Sequence, residues 1–93
     1  MNGRRRLYWD ESNRHHIARH GVRESDVEYL LARPTFVRRG RKGYWLHYGQ
    51  DAGGRYLLVV LDNVGPALYY VVTARPMTEA ERRNYLTRRL TRR

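Results

Sequence analysis

The sequence predicts one α+β domain, an antiparallel sheet of four to five strands with two helices before it and one after. Three observations carry this reading. Val27, Leu30 and Leu31 recur at helical spacing early in the chain. Between residues 35 and 74, apolar strand-like runs alternate with turn clusters too short to hold a helix. Thr78-Glu79-Ala80-Glu81 then reads as a capping box that opens a last helix. Helices segregated to either side of a run of strands define the α+β pattern. At 93 residues the chain suits a single domain spanning 1–93, and a hydrophobic content of 41% suffices for a core.

Taken in order, residues 5–9 form a short strand with Leu7 and Trp9 on one side. Asp10 offers an N-cap to the first helix, its carboxylate facing the amides of Ser12 and Asn13. That helix is expected to run through Arg19 and to close at His20-Gly21, with Gly21 in a left-handed C-cap. A second helix covers 24–32, its acidic first turn suited to the helix dipole, and Pro34 stops it. Residues 35–39 make a modest strand. Residues 44–48 alternate, with Tyr44, Leu46 and Tyr48 on one face and Trp45 and His47 on the other. After a turn at 50–54, residues 55–61 form a strand whose run Leu57–Leu61 is apolar on both faces and belongs at the sheet centre. A turn is expected at 62–66, then another apolar strand at 67–74. Such short connections favour consecutive hairpins. In the final helix Leu86 and Leu90 form a narrow stripe, and the basic tail 87–93 is expected to fray.

Charge narrows the function. Nineteen Lys and Arg against nine Asp and Glu give +10, and Lys42 is the lone lysine. Arg binds phosphate in a fork and stacks on bases, so a polyanion is the natural partner: nucleic acid first, then an acidic protein, with an anionic membrane surface third. Absent cysteine excludes disulfides, thiol catalysis and Cys-based zinc sites. No apolar stretch follows the N-terminus and no apolar run is long enough to span a bilayer, so a cytoplasmic protein without membrane contact is expected. There is no phosphate-binding glycine loop, nucleophile elbow or telling carboxylate pair, which leaves ATP-driven chemistry and serine hydrolysis without support.

Arg75 stands where the last strand leaves the sheet, and Arg82, Tyr85 and Arg89 share one face of the following helix. Together they fit a cradle for a phosphodiester, with Arg neutralising phosphate and Tyr donating a proton or stacking on a base. The same residues also fit a solvated Arg-rich helix whose Tyr packs on the sheet. His16 and His20 lie at i and i+4 but lack a companion ligand at metal spacing, so no metal and no cofactor are assigned. His20 is placed either to move protons or to cap helix carbonyls. Eight of the eleven aromatic residues are Tyr. Aromatics interleaved with Arg suit single-stranded RNA, with His47 and Tyr48 joining Arg89 as contact candidates.

The segment from Trp9-Asp10 to His20-Gly21-Val22 resembles the opening of BrnT-type toxins. Asp26 to Pro34 is similar to that family's second helix, and Gly49 with Gly54-Arg55-Tyr56-Leu57-Leu58-Val59-Val60 to its central hairpin. Thr73-Ala74-Arg75-Pro76-Met77-Thr78-Glu79-Ala80-Glu81-Arg82-Arg83-Asn84-Tyr85 resembles its closing signature. The ordered set covers roughly residues 8–86. The resemblance implies a RelE-like fold and a metal-independent endoribonuclease of a type II toxin–antitoxin system, which arrests translation through attack by the RNA 2′-hydroxyl. Its partners would be RNA and a BrnA-type antitoxin with a ribbon-helix-helix part, through which alone the complex meets operator DNA. Carried over position by position, Arg75 and Arg82 would stabilise the transition state, Arg55 would bind a flanking phosphate, and His20 or Tyr85 would handle protons. Gly43 and Tyr44 stand where many such chains carry an acidic and a basic residue, which leaves the general base unassigned. Two other readings share the composition: a non-catalytic RNA- or ribosome-binding module, and a subunit whose basic face docks an acidic protein.

Overall fold

The computed structural model describes residues 5–91, with side chains through residue 88. The elements are β1 (Arg6–Tyr8), α1 (Glu11–Ala18), α2 (Glu24–Leu31), β2 (Phe36–Arg39), β3 (Trp45–Gln50), β4 (Tyr56–Gly65), β5 (Leu68–Pro76) and α3 (Glu79–Thr91). The α+β class and the order of elements follow the expectation. One sheet of five strands runs β1-β5-β4-β3-β2.

The sheet is mixed, which corrects the antiparallel expectation. β2 to β5 are antiparallel neighbours, but β1 lies parallel to β5, Leu7 opposite Tyr69. Hairpin turns force antiparallel pairing only between strands they join. β1 reaches the free edge of β5 after both helices and three strands have intervened, so no turn dictates its direction. A second correction concerns residues 62–66. Residues 62–65 are strand rather than turn: β4 continues through Gly65, with Asp62 opposite Tyr70 and Asn63 opposite Tyr69. The Asn63 amide donates to the carbonyls of Gly65 (2.7 Å) and Leu68 (3.1 Å), which lets a turn-forming residue stay in the ladder. The reversal is confined to Pro66 and Ala67, the latter at φ 53°.

Local chemistry accounts for the helix ends. The Asp10 carboxylate accepts from the Asn13 amide at 2.9 Å, and Asn13 Oδ1 accepts from the Asp10 amide at 2.8 Å, a reciprocal cap. Gly21 follows α1 at φ 74°. Thr78 and Glu81 form the expected capping box at α3. α3 runs to Thr91, so residues 87–91 of the tail assigned to fraying are helical, whereas 92–93 lie outside the described residues.

β4 is apolar on both faces and separates two cores. Leu57, Val59 and Leu61 pack with Ile17, Val22, Val27 and Leu30 beneath α1 and α2. Leu58 and Val60 pack on the other face with Tyr48 and Tyr85, beside α3. Gly49 lets α2 approach β3: an added Cβ would stand 3.1 Å from Leu30 Cγ. A bulge in β5 places Thr73 opposite Val60 and Val71 opposite Leu61, so Val72 is the extra residue.

His47 is buried on the α1/α2 side of β3. Its Nε2 faces the Arg5 guanidinium at 3.4 Å, and its Nδ1 meets Thr35 Oγ1 at 2.9 Å. A guanidinium only donates, so Nε2 accepts and Nδ1 carries the proton. Burial, then the Arg5 charge, push the imidazole down from 6.5 to about 4. The unfolded chain therefore takes up this proton first as pH falls. Stability should decline from pH 6.5 to about 4, by about 3 kcal/mol for a shift of this size, and this contribution levels off below. Urea unfolding across that range checks it: His47→Gln should show a flatter slope than the parent, and identical slopes would refute the assignment.

Candidate functional site

α3 covers only part of its face of the sheet. Beside it lies a groove of about 500 Å³ floored by Leu46, Tyr48, Leu58 and Val60. Arg41, Lys42 and Tyr44 rim one side, and Thr73, Arg75 and Glu81 the other. The rim turn Arg41–Gly43 requires left-handed backbone at Lys42 (φ 58°) and Gly43 (φ 76°), the second of which glycine adopts without strain.

Arg75 lies at the C-terminal end of β5, opposite Leu58, and so points to the α3 face. Its guanidinium makes a two-pronged pair with Glu81, Nη1 to Oε1 at 2.8 Å and Nη2 to Oε2 at 2.9 Å. Nη1 also donates to the Pro76 carbonyl at 3.1 Å. The Arg75 side chain is 32% exposed and that of Glu81 24% exposed, so both are reachable from the groove. The Arg75 hydrogen bonds hold the Glu81 carboxyl below its usual range against the opposing effect of burial. Burial, then the Glu81 charge, push the Tyr48 hydroxyl upward from its ordinary value.

The sequence reading missed Glu81, yet its position follows from the capping box. The N3 carboxylate must reach back to the Thr78 amide, here at 2.8 Å, and the same reach brings it to the strand end where Arg75 emerges. Arg82, the next residue along the helix, is turned away. It lines a second cleft of about 510 Å³ with Arg55, Tyr56 and Met77, its guanidinium 5.6 Å from the Tyr56 ring. Arg75 and Arg82 therefore flank the first turn of α3 in separate clefts rather than converging on one phosphate.

The other candidates scatter. Tyr85 is buried in the α3-side core, edge-on to Tyr56 with ring centroids 6.1 Å apart. His20 is exposed beyond α1, in the layer across the sheet, its ring 5.7 Å from that of His16. His47 faces that same helix layer from inside, so of the two strand candidates only Tyr48 reaches the groove. The Arg89 side chain lies outside the described residues. Among the described residues no group of three or more His, Asp or Glu stands where it would hold a metal ion. No described helix is long and apolar enough to cross a membrane.

No protein-family model matches the chain, and no curated protein matches it significantly.

Arg55 has a structural engagement that the sequence did not reveal. Its Nε donates to Asp51 Oδ2 at 2.8 Å and its Nη2 to Asp26 Oδ2 at 3.3 Å. Asp51 and Asp26 are both buried. Burial alone would raise Asp51, but the hydrogen bonds from Arg55 hold it below the ordinary carboxylate range. One guanidinium thus fastens the β3–β4 turn to the first turn of α2. Removing it leaves two buried carboxylates without that cation. Arg55→Ala should lower stability by about 2 kcal/mol, discounted for the exposed side of the guanidinium. Chemical denaturation reads this directly. An unchanged midpoint together with a large loss of RNA affinity would return Arg55 to phosphate binding.

Proposed function

We propose that this chain is an RNA-cleaving toxin of the BrnT kind, on a RelE-like fold. It acts as a metal-independent endoribonuclease in the cytoplasm and is neutralised by a BrnA-type antitoxin carrying a ribbon-helix-helix part. The observation that carries the proposal is the groove beside α3. A half-buried guanidinium, Arg75, and the Tyr48 hydroxyl meet there within a rim that bears Arg41 and Lys42. The excess of nineteen basic over nine acidic residues draws a polyanion to it. The ordered resemblance over residues 8–86 supports the same reading.

In this reading an RNA strand crosses the groove with one phosphate against Arg75. The guanidinium neutralises charge that builds on the phosphate oxygens as the neighbouring 2′-hydroxyl attacks. Tyr48 donates a hydrogen bond to the same oxygens, and Tyr44 offers a ring face to a base. Arg82 and Tyr56, across the first turn of α3, lie where the strand would continue. Arg82 thus serves strand binding, and proton transfer does not fall to Tyr85 or His20.

A second reading has its own support. The guanidinium fork of Arg75 is filled by Glu81. A module that binds RNA through its remaining surface cations, without cutting, also fits that arrangement.

Incubation of the purified chain with single-stranded RNA separates the two. Cleavage is expected without added metal, and Arg75→Ala should slow it about 10²- to 10³-fold with the circular dichroism spectrum intact. In bacteria, expression should arrest growth, and the adjacent gene should relieve the arrest. Salt-sensitive RNA binding with no cleavage would replace the nuclease by the binding module.

A further inference from the structure

The nuclease reading requires a group that accepts the proton of the attacking 2′-hydroxyl. Among the described residues that line the groove, Glu81 supplies the one carboxylate. We infer that Glu81 is the general base of this site, its carboxylate taking the 2′-hydroxyl proton of an RNA strand whose phosphate is held by Arg75. This assignment rests on the ribonuclease reading above.

The geometry is specific. Both carboxylate oxygens stand within 2.9 Å of Arg75, so a phosphate engaged by that guanidinium comes beside the carboxylate. Oε1 is also held by the Thr78 amide at 2.8 Å, which keeps the group in place when Arg75 turns toward another anion. Oε2 has no such second tether in the capping box and is the oxygen that reaches the substrate. In the resting site the carboxyl is held ionised, the form that accepts a proton. A phosphate competing for the fork draws Arg75 off, and the carboxylate becomes more basic as its partner leaves. Ligand binding and activation of the base are thereby the same event.

The step balances without an outside oxidant or reductant. The 2′-oxygen forms a bond to phosphorus while its proton passes to Glu81 Oε2. The bond from phosphorus to the 5′-oxygen breaks, and that oxygen takes a proton from water. The hydroxide left behind recovers the proton from Glu81. The products are a 2′,3′-cyclic phosphate and a free 5′-hydroxyl end.

Glu81→Gln tests this in the full chain, because glutamine also satisfies a capping box but does not take up the proton. The probes are a short single-stranded RNA of mixed sequence and its 2′-deoxy copy, which binds but lacks the attacking group. Glu81→Gln should cut the RNA about 10²- to 10⁴-fold more slowly than the parent. It should lose the acidic limb of the pH–rate profile and bind the 2′-deoxy copy at least as tightly, since Arg75 is freed. Glu81→Asp, which keeps a carboxylate, should retain that limb at a lower rate. Parental cleavage by Glu81→Gln with an unchanged limb would reduce Glu81 to a cap and clamp. Parallel loss of cleavage and of 2′-deoxy binding would mark a structural role and overturn the assignment equally. A parent chain that binds the RNA but never cuts it removes the nuclease reading itself, and the assignment with it.

Discussion

The burial of β4 on both faces is the constraint on which the rest depends. Leu57, Val59 and Leu61 demand cover on one side, Leu58 and Val60 on the other. Two helices meet the first demand. A single helix meets the second, and its described apolar contacts centre on Tyr85 and Leu86. So narrow a contact cannot roof five strands. The uncovered remainder, with Leu46 and Tyr48 on its floor, is the groove. The site is thus a consequence of unequal coverage, with two helices on one face and one on the other. Its apolar floor and basic rim follow from the strand alternation and from the turn at Arg41–Gly43.

A chain with this excess of Arg must place its few acids with care. Glu24 pairs with Arg14, Asp26 with Arg23 and Arg55, Asp51 with Arg55, and Glu81 with Arg75. Asp10 caps α1, and Glu28 accepts from the Trp9 indole at 3.3 Å. Much of the acidic complement is therefore committed to fixing helix starts and turns. Several guanidinium groups settle instead over aromatic rings: Arg33 over Tyr29, Arg39 over Trp45, and Arg88 over Phe36. Stacking leaves the charge in place while covering ring surface. The fold tolerates its net charge in this way without neutralising it, and the field that would attract a polyanion survives folding.

What was legible in the sequence was what local rules govern. Asp10, Gly21 and the Thr78–Glu81 box set helix ends within a few residues of the chain, and the structure agrees there. The double-sided run at 57–61 announced a central strand. Contacts set by distant partners were not legible. The parallel pairing of β1 with β5 joins residues more than half the chain apart. Asp62 and Asn63 carry turn chemistry, yet pairing with Tyr70 and Tyr69 outweighs it. The resemblance makes Arg55 a phosphate ligand, and no local pattern discloses Asp26, which approaches from another element. His47 is a contact candidate in the sequence because alternation gives the side of the strand but not what covers it. Arg82 is a candidate because it shares a helix face with Tyr85 and Arg89, whereas cap geometry brings its neighbour Glu81 to Arg75.

The Glu81 carboxylate links fold and site. As a cap it fixes the start of α3; as a partner it holds Arg75 in a defined direction at the end of β5. A free arginine has several rotatable bonds, and fixing them when a ligand arrives costs affinity. Under the proposed function, Arg75 would already be ordered by Glu81 when a phosphate reached the groove. The cost is that the incoming anion must displace a carboxylate, and a two-pronged pair at a half-buried position yields only to a ligand of matching geometry. A phosphodiester presents two oxygens to the same fork; an isolated single charge does not. Under the proposed function, the pair that stabilises the first turn of α3 would therefore also filter what binds, and the selectivity would arise from the capping box rather than from any added loop.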